Sequence, residues 1–373
     1  MTRFGGALLT AAGLAAVAIA ALVRPTDAQA AAAQDWSPFV LVAGLLLVGL
    51  IADGDGLFAA AGERVARLAR SGIVLFIAAA AMIVIVTALL NLDTSVAFLT
   101  PVLVYTARSR GEPEAPMLLA CLLLSNAGSL FLPGSNLTNL IVLGHLHLTG
   151  GQFLARMWAP ALAAAVVTAL VIAVAERRAL RVSQGAPAIT VRPRARLGLV
   201  AVGAATVVVV ALPAPAPWVA GIGVLAVGIR ILGRRVTARR AFDVVGLPVL
   251  IALFGLAVAL GTVARAWSGP ATLLSHTGVW GTAGIGAGAS ILVNNLPAAS
   301  LLAAHRPEHP FALLVGLNLG PNLFVTGSLA WILWLRAARS AGAQPSIAQA
   351  TRVGAIAVPL SIVAAVAALY LTS

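Results

Sequence analysis

The residues able to do chemistry in this chain lie in four short polar stretches set inside long apolar runs. The first, Asn91-Leu-Asp-Thr-Ser95, places one ionisable side chain, Asp93, between two apolar arms. The second, Ser125 to Leu140, reads SNAGSLFLPGSNLTNL. The third, Asn294-Asn-Leu-Pro297, sets two amides beside a proline that has no backbone donor. The fourth echoes the second: Asn318-Leu-Gly320 repeats Asn126-Ala-Gly128, and Leu323-Phe-Val-Thr-Gly-Ser328 repeats Leu130-Phe-Leu-Pro-Gly-Ser135. Backbone polar groups must be paired in hydrocarbon, so a helix broken by Gly and Pro survives there only under cover of protein or beside a water-filled cavity. Two interrupted segments in corresponding halves point to the binding site of a transporter.

The candidate substrate-binding residues are therefore Asn91, Thr94, Asn126, Ser129, Ser135, Asn136 and Asn139 in the first half. Their counterparts in the second are Asn294, Asn295, Asn318, Asn322, Thr326 and Ser328. Small polar residues also glue packed helices together. That explains any one of these positions, but explains their paired arrangement poorly. An Asp at a helix centre costs roughly 2.5–3.5 kcal/mol on insertion scales, so Asp93 must face a cavity or a partner. Its functional reading is a coupling site for a proton or another cation; its structural reading is a cap on the following arm.

Composition defines the solvent of these elements. Of 373 residues, 61% are hydrophobic and 9% charged, which describes a polytopic membrane protein rather than a soluble domain. The formal net charge of +13 would suggest nucleic acid in a soluble chain. Here the basic residues sit in short loops between apolar spans, where they set topology. All 24 basic residues are Arg. The absence of Lys excludes a Walker A phosphate loop and a lysine Schiff base. Cys121 is the single cysteine and the five histidines are scattered, so neither an intrachain disulfide nor a metal site is expected, and no cofactor.

The apolar periods give an all-α fold of about nine spans, two of them broken, plus two re-entrant hairpins, arranged as two inverted repeats. Residues 1–176 form the first repeat, with a hairpin tip at 91–95 and a broken helix at 116–146. Residues 177–216 form a basic linker and connecting helix. Residues 217–373 form the second repeat, with a tip at 294–297 and a broken helix at 311–335. The N-terminal stretch has a signal-like charge and an Ala28-Gln-Ala30, but Gly5 to Val23 is long enough to read as a retained first span. A second span is expected from about Pro38, broken by Asp53-Gly-Asp-Gly56, which reads as an interfacial helix break. The most basic loop holds Arg177, Arg178, Arg181, Arg192, Arg194 and Arg196. The positive-inside rule puts these loops and the N-terminus in the cytoplasm, and the C-terminus and all five histidines (His145, His147, His276, His305, His309) outside. The expected location is a bacterial inner membrane.

Four stretches carry a family resemblance: Leu92-Asp-Thr-Ser-Val-Ala-Phe-Leu-Thr-Pro101, Ser129-Leu-Phe-Leu through Ser135-Asn-Leu-Thr-Asn139, Val293-Asn-Asn-Leu-Pro297, and Leu319-Gly-Pro through Trp334-Leu335. In these the chain resembles the ArsB family of arsenite and antimonite efflux permeases, within the ion-transporter superfamily that also holds sodium/dicarboxylate and citrate-type permeases. The resemblance runs from about Leu41 to the end. It implies an elevator-like or rocking secondary transporter and a cytoplasmic ArsA-like ATPase partner. The chain departs from the family where Asn126 and Asn318 stand in place of acids and Asn322 in place of a base, leaving Asp93 as the principal buried acid.

With no Arg at the expected midplane, a neutral trihydroxide such as arsenous acid, exchanged for protons, fits the residue types. A cation-coupled anion or dicarboxylate permease is the alternative. An intramembrane hydrolase using Ser135 with His145 as base would need a histidine at membrane depth. The expected partners are the lipid bilayer, a small inorganic solute, protons or another coupling cation, and a second copy in a homodimer. Nucleic acid is not among them.

Overall fold

Long apolar runs become helices here because a chain in hydrocarbon must pair its own backbone groups. The computed structural model describes residues 3–146, 148–181 and 196–372; His147, Arg192 and Arg194 lie outside the described residues. In chain order the helices are α1 (Arg3–Val23), α2 (Pro25–Gly54), α3 (Leu57–Leu68), α4 (Gly72–Leu89), α5 (Leu92–Ser109) and α6 (Ala115–Gly128). A 3-10 turn, Pro133–Ser135, then leads to α7 (Leu137–Leu143), α8 (Gly150–Ala175), α9 (Leu197–Ala211), α10 (Ala216–Leu232), α11 (Ala238–Val245), α12 (Leu247–Ala266) and α13 (Gly269–Ser275). After α14 (Val279–Val293), α15 (Asn295–Leu302) and α16 (Pro310–Leu319), a further 3-10 turn, Gly320–Leu323, precedes α17 (Leu329–Ser340) and α18 (Ile347–Leu369). No strand occurs among the described residues.

Among the described residues, five helical stretches are long and apolar enough to cross a membrane alone: α2, α4, α8, residues 238–266 and α18. The helix expected from Pro38 begins at Pro25 instead. Proline at the first helical position has no donor to waste, and the Ala-rich run behind it has high helix propensity. Helix α8 starts at Gly150, where Thr149 and Gln152 form a reciprocal capping box. The first hairpin turns more tightly than the expected tip at 91–95. Asn91 Oδ1 accepts from the Thr94 backbone N–H at 2.6 Å, so α5 starts at Leu92. The cap is thus Asn91 and not Asp93.

The helices pack in two groups. Helices α1, α2, α9, α10 and α12 gather around α2. Glycines let their backbones touch: a Cβ on Gly13 or Gly255 would meet the facing backbone within 2.5 Å and 2.1 Å, where α1 crosses α12. The second group holds α4 to α8 and α14 to α18. In it α4 packs on α6 as α14 packs on α16, and α8 lies along α18. The second arm of each hairpin crosses to the other half: α5 packs against α17 and α15 against α7.

The loops separate onto two faces. On one, Arg110 donates to the Ala66 carbonyl, Arg108 to the carbonyls of Ala341 and Gly342, and Gln349 to Glu176. Buried Asp55 there joins Arg230 and the Gly198 backbone N–H, giving the helix break after α2 a structural role. On the other face Arg156 lies over the Phe311 ring, and its carbonyl accepts from Thr372 Oγ1. The α4–α5 hairpin has its base on the first face and the α14–α15 hairpin on the second.

Candidate functional site

The site is built where helices stop. In the first broken segment α6 ends at Gly128, and Asn136 caps α7 by accepting from the Thr138 N–H at 3.1 Å. In the second, α16 gives way to a 3-10 turn after Leu319, and Ser328 stands at the start of α17 without making a side-chain cap. Two indoles of α17 tie it down: Trp331 Nε1 donates to the Pro321 carbonyl of the unwound turn at 2.8 Å, and Trp334 Nε1 to the Leu118 carbonyl in the first turn of α6 at 2.9 Å. Gly354 of α18 permits this approach, since a Cβ there would lie 2.2 Å from the Asn322 carbonyl oxygen.

The two breaks are joined by a fully buried amide cluster. Asn318 Oδ1 accepts from Ser129 Oγ at 2.6 Å and Asn136 Nδ2 at 2.7 Å; its Nδ2 donates to Asn139 Oδ1 and the Leu314 carbonyl, both at 2.8 Å. All four hydrogen-bonding positions of that amide are filled. Asn126 Nδ2 donates to Asn322 Oδ1 at 2.8 Å, and Asn322 Nδ2 to the Leu123 carbonyl at 3.0 Å. Asn139 Nδ2 closes the first break by donating to the Ser129 carbonyl at 2.7 Å. An acid at 318 would place oxygens against two acceptors, so an amide is required here.

Each hairpin tip is tied to the break in its own half. Ser135 Oγ donates to the Ala88 carbonyl at 3.0 Å, just before the first tip. At the second, Asn294 Nδ2 donates to the Thr326 carbonyl at 3.0 Å and the Asn295 backbone N–H to the Gly327 carbonyl at 2.9 Å. Asn294 holds φ 83° and ψ 149°, a conformation that is essentially glycine's. Such strain costs roughly 1–3 kcal/mol and clusters at ligand clamps and switches. Of the sequence-predicted residues, Asn126, Ser129, Asn136, Asn139, Asn318 and Asn322 are joined side chain to side chain or through backbone carbonyls across the two breaks, whereas Asn91, Thr94 and Ser328 stand apart from that cluster.

The two tips differ. At the first, Asn91, Thr94 and Ser95 are buried, and Thr94 presses its methyl toward Gly49 of α2. Among the described residues, Asn91 Nδ2, Thr94 Oγ1 and Ser95 Oγ have no hydrogen-bond partner, nor do Thr87 Oγ1, Asn126 Oδ1 and Ser328 Oγ. The partly exposed Asp93 carboxylate likewise has no hydrogen bond or ion pair among the described residues. The second tip is open: Leu292 is 81% exposed, Phe324 47%, and Thr326 is exposed beside them. Ser135 engages Ala88 while His145 Nε2 lies 3.1 Å from the Ala303 carbonyl, so the pair a hydrolase would need is not assembled. No group of three or more His, Cys, Asp or Glu side chains able to hold a metal occurs among the described residues.

Sequence reasoning missed a second polar cluster, formed by Gln34, Asp35 and Arg265. Both Gln34 and Asp35 were read as lying ahead of the span expected from Pro38. The Ala-rich run from Ala30 to Ala33 was the available sign that the helix already includes them.

Helices broken in pairs, hairpins entering from opposite faces and a junction of buried amides define a polytopic membrane transporter. The citrate transporter family model, CitMHS, matches residues 2–316, and the chain belongs to that family. It is a permease rather than an enzyme. The inner membrane protein YbiR of Escherichia coli (strain K12) is 29% identical over 318 residues, covering 82% of this chain and 81% of that one. The fold resembles the crystal structure of the YdaH transporter of Alcanivorax borkumensis, with a TM-score of 0.55 at 14% identity, covering 89% of this chain and 84% of that one. The family match favours the citrate-type alternative and lends arsenite efflux no support.

Proposed function

We propose that this chain is a cation-coupled permease for a small carboxylate anion of the citrate class, working in the inner membrane. The observation that carries this reading, beside the family, is which polar groups remain free. A neutral trihydroxide would need the amides, and those of Asn318, Asn322, Asn136 and Asn139 are engaged with one another. What remains is the starts of α5 and α17, whose first-turn N–H groups carry partial positive charge, and Asn91 Nδ2 with the hydroxyls of Thr94, Ser95 and Ser328, unpartnered among the described residues. Those groups suit a carboxylate.

Asp93 then supplies the coupling. Ionised and unpaired, it repels an anion; with a cation bound to it, it does not. Cation and anion therefore raise each other's affinity by the same factor. The mirrored packing of hairpins and breaks supports reading residues 1–176 and 217–373 as inverted repeats. Transport is then movement of the second helix group past the α2 group. The positive-inside rule assigns the Arg-rich face to the cytoplasm, with the N-terminus there and the C-terminus outside. An ATPase partner and a dimer form no part of the proposal.

The test is uptake of labelled citrate by proteoliposomes under an imposed sodium, magnesium or proton gradient. One gradient should drive uptake, and Asp93→Asn should remove the dependence on it. Arsenite resistance in a sensitive host, without citrate uptake under any gradient, would overturn the proposal. YbiR, 29% identical, is an inner membrane protein, which supports the location.

A further inference from the structure

The polar cluster that sequence reasoning missed lies where the two helix groups meet, on the face opposite the Arg-rich loops. Gln34 of α2 donates through Nε2 to the Ile141 carbonyl at 3.0 Å and to the Ala303 carbonyl at 3.1 Å. Ile141 is in the last turn of α7, and Ala303 is the residue that ends α15. One amide from the α2 group thus grips the negative ends of a half-helix and a hairpin arm, both in the other group. Gln34 Oε1 accepts from Arg265 Nη2 at 2.5 Å, and Arg265 Nη1 bonds the Gly261 carbonyl at 3.0 Å, so the amide is held in register by α12. Among the described residues, the only other side chain bonded to Ala303 is His145, through Nε2 at 3.1 Å. Asp35, 2% exposed beside this group, has no hydrogen-bond or ion-pair partner among the described residues.

We infer that Gln34 is a gating residue: its amide latches α7 and α15 to the α2 group and closes the site from this face. The inference rests on the transport reading only in that the two groups must separate. The paired donation explains why an amide is used. A carboxylate would keep the Arg265 contact and lose both bonds to the carbonyls, and an apolar side chain would lose all three. Because α15 carries the strained, partly exposed Asn294 tip at its other end, release at Ala303 frees the arm whose tip meets the second break.

The test needs no substrate. Ser300 lies on α15 one turn deeper than Ala303 and is 3% exposed. In nanodiscs, with Cys121→Ser as background, the rate at which a membrane-impermeant maleimide labels Ser300→Cys reports opening on this side. Gln34→Leu should raise that rate about tenfold or more, as expected for loss of hydrogen bonds of ordinary net strength. A Cβ on Gly144 would sit 3.2 Å from Gln34 Cγ, so a Gln34→Cys, Gly144→Cys pair should oxidise to a disulfide. That tether should slow labelling below the background rate, and reduction, which leaves no amide at 34, should raise it toward the Gln34→Leu rate. An unchanged rate in Gln34→Leu overturns the latch, as does a disulfide that fails to form or fails to slow labelling. An equal rise at native Cys121 in a Gln34→Leu protein would signal general loosening and also overturn it. Failure of the native chain to take up citrate would refute the substrate reading alone, leaving the labelling result as it stands.

Discussion

Replacing Asn318 by leucine tests the amide cluster most directly. The four hydrogen bonds of the Asn318 side chain are lost together, but not all partners suffer. Ser129 Oγ still donates to the Asn126 carbonyl at 2.8 Å, and the Leu314 carbonyl keeps its place in α16. Asn136 Nδ2 and Asn139 Oδ1 lose their only partners among the described residues while both side chains stay buried. At about 1–3 kcal/mol for each buried group left unsatisfied, the substitution should cost roughly 2–6 kcal/mol. The chain carries its own reporter. Cys121 is fully buried in α6, with Sγ 3.1 Å from Thr100 Oγ1, so a thiol-reactive fluorogenic dye reads unfolding in detergent without an added label. The midpoint for dye reaction should fall by about 5 °C or more in Asn318→Leu. Asn318→Asp should also fall, because a carboxylate keeps the two acceptor contacts but leaves Asn139 Oδ1 without a donor. Midpoints within about 1 °C of the native protein for both variants would refute the cluster as drawn.

Other substitutions separate stability from coupling. Asp55→Ala strands Arg230 in a buried position and should cost about 3–5 kcal/mol in the same thiol assay, while Asp55→Ala with Arg230→Leu should recover much of it. Asp93→Asn should leave the midpoint unchanged, since Asp93 has no partner to lose, while gradient-driven uptake disappears; a large drop in midpoint would show that the residue is structural. Gly354→Ala forces a Cβ to within 2.2 Å of the Asn322 carbonyl and should lower the midpoint, whereas Gly288→Ala, with nothing within 4 Å, should not.

The hydrogen-bonded core of the candidate site was legible in the sequence because polar residues inside hydrocarbon are costly and must be used. Asn126, Ser129, Asn136, Asn139, Asn318 and Asn322 stand out against apolar neighbours, and repetition pairs them across the two halves. What the letters do not carry is who bonds whom. They name Asn318 as a departure from acids in similar permeases; only geometry supplies the reason, since its Nδ2 faces Asn139 Oδ1 and the Leu314 carbonyl. Helix ends were less legible where capping outweighed hydropathy, as at Asn91, Thr149 and Pro25. Gln34 and Asp35 escaped notice for the same reason: unless the Ala-rich run before it is taken as part of α2, Gln34 reads as a loop residue. Yet position is what gives that amide its consequence. The same side chain in a loop would be solvated, whereas on α2 it sits between the C-terminal ends of two elements of the other helix group. Substrate identity belongs to this unreadable class as well, because it depends on which polar groups the fold leaves unpaired. The Asn-rich breaks read as hydroxyl partners when counted as residues. Once their hydrogen bonds are drawn, the free groups are helix starts, hydroxyls and one carboxylate, and the balance moves from a neutral solute to an anion that arrives with a cation.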